Sequence, residues 1–337
     1  MVSSAANDAT DVSLTEVAAL LRGANDVLIQ THRNPDGDGI GAALALATGV
    51  RAVGNRATVV CPDRLPPYLL QMPGAHEVRH QLRQSTWDLV VAVDVSDPAL
   101  LQPLPSADPK FFAERHSLNI DHHFSNLRYA RFNYVDASAA SATEIISALL
   151  MDHLGVQLTA DIATNLLYGI VNDTHSFQNS NTSPQTLALS AQLVEAGADL
   201  SRIVYNLLLA RSVESARLWA EVLPTLAFAD DARVAFLTVS LEALERTGAT
   251  LTDADGLVEF LRNIRGVDLA VLFKQTGPEE YRLSIRTSSA VDATVVAAAF
   301  GGGGHQRAAG GDARGDLSEI QGRLLEVYWT SRLAPSE

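Results

Sequence analysis

The sequence predicts an α/β protein of two domains, and three observations predict it. Short, mainly apolar runs recur at residues 27–30, 57–61, 89–93 and 118–120, separated by stretches of helical periodicity. A second series of strand-like and helix-like segments resumes after Pro224. The chain has 337 residues, more than one small core accommodates. Runs that are apolar throughout, instead of alternating, mark strands of a parallel sheet covered on both faces.

The elements follow in order. Ser13-Leu14-Thr15-Glu16 has the form of a capping box, with Leu14, Val17, Leu20 and Leu21 at helical spacing, so a first helix starts there. Residues 27–30 form a buried strand between Asn25-Asp26 and the turn cluster Asn34-Pro35-Asp36-Gly37, ending at His32. A helix covers 41–50, and strands at 57–61, 89–93 and 118–120 follow, the last two ending at Asp94 and Asp121. Beyond Tyr134 the pattern turns helical at 142–154, 160–171, 184–196, 200–209 and 215–222, with Asp173 just past the second of these. Strands at 233–239, 269–274 and 281–286 interleave with helices thereafter. The expected division is a disordered tail at 1–12, a parallel-sheet domain flanked by helices at 13–190, a helical linker at 191–224 and a smaller α/β domain at 225–330.

Composition narrows the function classes. Apolar residues make up 47% and charged residues 19%, ordinary for a globular protein with an ample core. No apolar stretch approaches the roughly 18 residues of a membrane span, and the polar start has no basic segment of the signal or transit type. Cys61 is the single cysteine, so an internal disulfide and a cysteine zinc cluster are excluded and the cytoplasm is the expected compartment. A formal net charge of -14 repels a long polyanion, which argues against duplex nucleic acid. A small anion held by metals and a few arginines remains compatible, because that field is screened over about 8–10 Å.

Ligands of parallel sheets gather at the carboxyl ends of the strands, and there the sequence places His32, Asp36-Gly37-Asp38, Asp94 and Asp121-His122-His123. Read alone, Asp36-Gly37-Asp38 is a polar turn, His32 a strand-end histidine, Asp94 a helix cap beside the more obvious cap Asp97, and Asp173 a helix-end turn. Asp121-His122-His123 is harder to assign to packing, since three adjacent ligating groups end a buried strand. Together they offer oxygen and nitrogen ligands for two divalent cations. Far downstream, Gly301-Gly302-Gly303-Gly304-His305 lies between apolar segments, where successive glycine amides can form an anion nest. A nucleotide triphosphatase loop of the GxxxxGK[ST] type is absent, and the chain has only two lysines, Lys110 and Lys274.

In their joint order these motifs resemble the DHH phosphoesterase superfamily, and within it the RecJ-like, NrnA-type oligoribonucleases and 3′-phosphoadenosine 5′-phosphate (pAp) phosphatases. The likeness is carried by His32-x-x-x-Asp36-x-Asp38, Val93-Asp94-Val95-Ser96-Asp97, Asp121-His122-His123, Asn172-Asp173-Thr174, Ser284-Ile285-Arg286 and the glycine-histidine run. It covers about residues 14–325. The resemblance implies a DHH domain followed by a DHHA1 domain. It implies one metal on His32, Asp36 and Asp94, and another on Asp38, Asp94, His122 and Asp173, with Asp94 bridging and two Mn(II), or Mg(II), as cofactors. It further implies that Asp121 orients His122 and that His123 faces the scissile phosphate. Arg286, Ser284, Gly302, Gly303, Gly304, His305 and Asn181 are implied to bind substrate. His175 and Gln178 depart from the family pattern beside that phosphate.

The function expected from these residues is hydrolysis of short RNA, dinucleotides such as pApA and pGpG, pAp, and in reach also cyclic di-AMP. A family-II type inorganic pyrophosphatase and a non-catalytic cyclic dinucleotide receptor are the rival readings. A homodimer is expected from the apolar helices at 142–209.

Overall fold

The structure, a computed structural model, describes residues 9–82 and 86–331. By internal packing the chain divides into two compact units, Met1–Ala210 and Arg211–Glu337.

The first unit is built on a six-stranded sheet of β1 (Thr10–Asp11), β2 (Asp26–Gln30), β3 (Arg56–Val60), β4 (Leu89–Val93), β5 (Ser117–Asp121) and β6 (Phe132–Val135). Its order is β1-β6-β5-β4-β2-β3, and every pairing is parallel. The apolar runs are continuous because both faces are covered. Val27, Ile29, Leu89, Val91 and Val93 point into one core, and Leu28, Val90 and Ala92 into another. Each such valine, leucine or isoleucine side chain contributes about 1.5–3 kcal/mol on leaving water.

The first core is closed by α1 (Leu14–Gly23), α2 (Gly37–Ala52), α4 (Ala142–Ala148) and α5 (Ala160–Asp173), together with α6 (Pro184–Glu195) and α7 (Leu200–Val204). The opposite face carries a thinner layer around Leu101, Leu104, Phe112 of α3 (Pro109–Ala113) and Tyr129.

Chain order fixes where a site can form. From β2 the sheet grows to one side with β3 and to the other with β4, β5 and β6. The connections leaving β2 and β4 therefore run to opposite sides of the strand order, which marks the topological switch point at whose carboxyl edge such sheets bind ligands.

Several sequence expectations change. Asp36-Gly37-Asp38 is not a free turn. Asp36 caps α2, its carboxylate accepting from the amides of Asp38 and Gly39 at 3.1 and 3.0 Å. The helix thus starts four residues earlier than its apolar periodicity indicates, because a cap and two glycines carry no hydrophobic signal. The tail is not disordered throughout: Thr10 and Asp11 pair with Phe132 and Asn133, while residues 1–8 lie outside the described residues. The segment 191–224, read as a linker, is shared between two cores, with Leu193, Ala198 and Ile203 in the first unit and Leu218 and Val222 in the second.

The second unit starts with α8 (Val213–Val222) and has a mixed sheet of β7 (Ala227–Ala229), β8 (Val234–Val239), β9 (Leu269–Gly277), β10 (Glu280–Thr287), β11 (Gly303–His305) and β12 (Ala308–Arg314). The order is β11-β12-β10-β9-β8-β7, parallel only between β8 and β9. One face packs on α8, α9 (Leu241–Thr247) and α10 (Leu257–Arg262), the other on α11 (Ala293–Ala298) and α12 (Leu317–Ser331). No helix among the described residues is long and apolar enough to cross a membrane.

The glycine run is a packing device as much as a loop. Gly303, Gly304 and His305 form the edge strand β11. A Cβ on Gly302 would lie 1.9 Å from the Gly310 carbonyl oxygen, so only glycine lets the two backbones approach. Gly302→Ala is expected to destabilise the second unit by about 1–3 kcal/mol, as overpacking does. Urea unfolding of the full chain measures this.

A candidate metal centre at the switch point

Four segments of the first unit deliver the site. His32 and Asp36 leave β2, Asp94 leaves β4, and Asp121, His122 and His123 leave β5, while Asp173 ends α5. Three overlapping groups have ligand atoms all within 4.8 Å: His32, Asp36 and Asp94; Asp38, His122 and Asp173; and Asp94, His122 and His123. The structure thus brings together every first-unit residue that the sequence singles out for metal.

Asp94 occupies the centre. One of its oxygens, Oδ2, lies 3.3 Å from His32 Nε2. The other, Oδ1, lies 3.6 Å from His122 Nε2 and 3.4 Å from His123 Nδ1. It faces both halves of the cluster from a left-handed backbone, φ 57, a conformation costly for a residue with a side chain and concentrated at functional sites. Its amide donates to the Ile120 carbonyl at 3.0 Å, which holds that conformation.

Asp38 is wholly buried. Its two carboxylate oxygens accept from the amides of Ala142 and Thr143, at 2.6 and 2.9 Å, which open α4. The positive end of that helix favours a carboxylate there, and each oxygen keeps a lone pair for a cation. Space around it is tight, since a Cβ on Gly169 of α5 would stand 2.4 Å from Asp38 Oδ1.

Asp121 does not do what the sequence suggests. It was expected to orient the His122 ring, but its Oδ1 accepts from the His122 backbone amide and from His123 Nδ1, each at 2.8 Å. The His122 ring instead places Nδ1 at 3.4 Å from the Ala139 carbonyl oxygen. That ring turns toward Asp94 and Asp173, its Nε2 lying 3.6 and 3.1 Å from their carboxylate oxygens. Asp121 Oδ2 is held by Asn126 Nδ2 at 2.5 Å. Asn126 escaped sequence reasoning, because a lone asparagine in a polar turn looks ordinary.

The remaining assigned residues divide. Asn181 sits at the rim of this site, its amide donating to the carbonyls of Ala140 and Asp173 at 3.0 and 3.3 Å. His175, Ser176 and Phe177 make a left-handed run directly after α5, closed in part by Gln178 Nε2 donating to the His175 carbonyl at 2.8 Å. Arg286, Ser284 and the glycines belong to the second unit. Arg286 is engaged by Glu259 of α10 at 2.9 Å. The Gly302 amide donates to the Ala297 carbonyl at 3.0 Å, which removes it from the expected anion nest. The His305 side chain lies outside what the structure describes.

Electrostatics show a cluster short of positive charge. Burial alone would push His122 down, yet Asp173, Asp38 and Asp94 hold its imidazole at about 11. Burial opposes His32 in the same way, and Asp36 and Asp94 hold it well above the usual histidine range. Burial and the charges of Asp173 and Asp94 push Asp38 well above the usual carboxylate range, and burial raises Asp94. Asp36, opposed by burial but favoured by His32 and the amides of Gly39 and Asp38, falls to about 2, and Asp121, opposed by burial but favoured by His123 and Asn126, is also lowered. Protons on these groups supply the positive charge that the cluster lacks.

Two atoms report what fits. Asp94 Oδ1 and His122 Nε2 are buried and make no hydrogen bond, a costly state for polar atoms. A divalent cation would satisfy both. The donors are carboxylate oxygens and imidazole nitrogens, which suits a divalent cation. The thiol of Cys61 is no rival ligand, since burial pushes it up to about 11 and it donates to the His32 carbonyl at 3.4 Å.

Such a sheet with a carboxylate-imidazole cluster at its switch point defines an α/β scaffold with a candidate metal centre, and comparison with known proteins makes the class specific. Residues 26–170 match the DHH family, N-terminal domain, and residues 231–327 match the DHHA1 domain. A bifunctional oligoribonuclease and PAP phosphatase NrnA from Thermus thermophilus is 33% identical over 303 residues, spanning 89% of this chain and 88% of that protein. Among solved structures, an exopolyphosphatase-related protein from Bacteroides fragilis superposes with a TM-score of 0.87 at 20% identity, over 94% of this chain and 95% of that one. The exonuclease RecJ bound to manganese shares the fold at a TM-score of 0.52 and 13% identity, over 95% of this chain and 94% of that one. The chain belongs to the DHH family, in its DHH plus DHHA1 form, and is a phosphoesterase.

Cation binding should displace the protons that now neutralise the cluster. His122, held at about 11, is protonated at pH 7.5 and must lose its proton to become a ligand. Calorimetric Mn(II) titrations in buffers of different ionisation enthalpy should show net proton release, with affinity falling as pH falls. Asp94→Asn should weaken binding at least tenfold.

Proposed function

We propose that this chain hydrolyses short oligonucleotides, dinucleotides such as pApA and pGpG, and nucleoside 3′,5′-bisphosphates such as pAp, with two divalent cations held in the first unit. The observation that carries the reading is the pair of buried ligand atoms, Asp94 Oδ1 and His122 Nε2, 3.6 Å apart, which make no hydrogen bond and face charged partners, His123 Nδ1 at 3.4 Å and Asp173 Oδ2 at 3.1 Å, where the three ligand groups overlap. The name of the Thermus relative supports the substrate class, and the manganese in RecJ supports the choice of metal.

His32, Asp36 and Asp94 would hold one cation, and Asp38, Asp94, His122 and Asp173 the other. When bound, such ions supply charge neutralisation for phosphoryl oxygens and a water made nucleophilic at neutral pH. The chain's own residues position and move protons. Asp121 accepts from His123 Nδ1 at 2.8 Å, fixing the tautomer and leaving Nε2 for the substrate. Burial opposes the charged form of His123, but Asp121 and Asp94 raise it above the usual histidine range. His123 is thereby suited to keep a proton and give it to the leaving oxygen, or to stabilise charge on the phosphate. In the second unit, Arg286, paired with Glu259, would with Ser284, Gly303, Gly304 and His305 provide nucleotide-binding groups.

The deciding experiment incubates the Mn(II)-loaded chain with pAp, pApA, pGpG, a five-residue RNA, cyclic di-AMP and pyrophosphate, comparing kcat/KM. Hydrolysis of the mononucleotide-releasing substrates, abolished by EDTA and restored by Mn(II), is expected. Turnover of pyrophosphate alone, binding of cyclic di-AMP with no turnover of any substrate, or full activity in excess EDTA would each overturn the proposal.

A pH profile tests the proton donor. Because its folded pKa is raised, His123 keeps its proton to higher pH than an ordinary imidazole, and activity should fall as pH climbs through that raised value. Asp121→Asn removes the charge that raises it, so the alkaline limb should move to lower pH, with kcat reduced roughly 10- to 100-fold.

A further inference from the structure

Among the described residues Phe124 is the most exposed large apolar side chain, 95% accessible, and it directly follows His123. Its setting is a closed turn, in which the Asn126 amide donates to the His123 carbonyl at 3.2 Å, with Phe124 and Ser125 as the central residues. Such central positions are the domain of proline, aspartate, serine and glycine, residues that shape the turn or bond to it. Phenylalanine does neither, and nothing among the described residues covers its ring.

The turn is nevertheless held firmly. Asn126 Nδ2 donates to Asn119 Oδ1 at 2.7 Å and to Asp121 Oδ2 at 2.5 Å, and its Oδ1 accepts from the Arg128 amide at 2.7 Å. The Leu127 amide donates to the Ser96 carbonyl at 2.9 Å, tying the turn to the loop that carries Asp94. The same carboxylate, Asp121, anchors both His123 and Asn126. One rigid bracket therefore presents an imidazole to the metal cluster and, one residue on, an aromatic face to solvent.

We infer that Phe124 is a stacking platform for the nucleobase of the nucleotide whose phosphate is cleaved. The inference rests on the nucleotide reading given above and deepens it. An aromatic face accepts every base, because each base has a π-face, so Phe124 selects nucleotides over bare phosphoesters without choosing among bases. Its fixed turn means that little conformational freedom is lost when a base settles on it.

The test compares pAp with its abasic counterpart, the 3′,5′-bisphosphate of 1,2-dideoxyribose, on the Mn(II)-loaded full chain. Phe124→Ala should lower the ratio of kcat/KM for pAp over the abasic compound by roughly tenfold, with the loss carried by KM and rescued by Phe124→Tyr. An unchanged ratio, or an equal loss on both compounds, overturns the inference. An unchanged ratio with a shifted sedimentation coefficient would assign the ring to a contact between copies of the chain, and overturns it also.

A second readout does not need turnover. Phe124→Trp should show fluorescence quenching by AMP, beyond that of the parent chain, in the presence of Mn(II). Quenching without hydrolysis of any substrate would leave the stacking role standing while the enzymatic reading falls. Hydrolysis without quenching would do the reverse.

Discussion

The structure turns on the crowding of carboxylates around Asp94. Two like charges about 4 Å apart repel by about 4 kcal/mol at an effective dielectric of about 20, and a domain's whole stability is about 5–15 kcal/mol. Asp36, Asp38, Asp94 and Asp173 lie within reach of one another through shared imidazoles, so a few uncompensated pairs would rival the fold itself. The cluster must recruit positive charge, from protons on His122 and His32 or from cations. Both imidazoles are held up by the carboxylates around them, the response of a site crowded with negative charge.

The rest of the first unit is arranged to tolerate this. Asp38 is sealed from solvent, but the first two amides of α4 face it, and Asp36 is turned to the first amides of α2. Two helix starts therefore point at two of the acids, each using orphan amides that need an acceptor in any case. The parallel sheet supplies the frame, since β2 and β4 lie side by side with their carboxyl ends together, which brings His32 within 3.3 Å of Asp94 across 62 positions of sequence.

Much of this was legible from residues alone, for physical reasons. Residues 89–93 coincide with β4 because an unbroken apolar run of that length has few other homes. The acids at strand ends declared themselves because a charge beside a buried strand is expensive. What escaped notice depends on contacts distant in sequence. The short strands β1 and β6 have no continuous apolar signal. The start of α2 is set by a side-chain cap, and the partner of Asp121 is set by which ring can turn back onto it. Asn126 and Gly169 are essential to the geometry, yet as isolated letters they are indistinguishable from a turn residue and a helix glycine.

The glycine run shows how one motif can serve two demands, and why the structure reorders them. A row of glycine amides suggests an anion nest, but the Gly301 and Gly302 amides are already given to the carbonyls of Ala298 and Ala297. The first demand on these residues is steric, since Gly302 and Gly304 lie against the backbone of β12 so closely that any side chain would displace it. That close approach makes β11 an edge strand, and an edge strand keeps one row of backbone groups unpaired. Whatever anion recognition the run provides must therefore come from the outward side of Gly303 to His305. The glycines that precede them build the edge and do not line it.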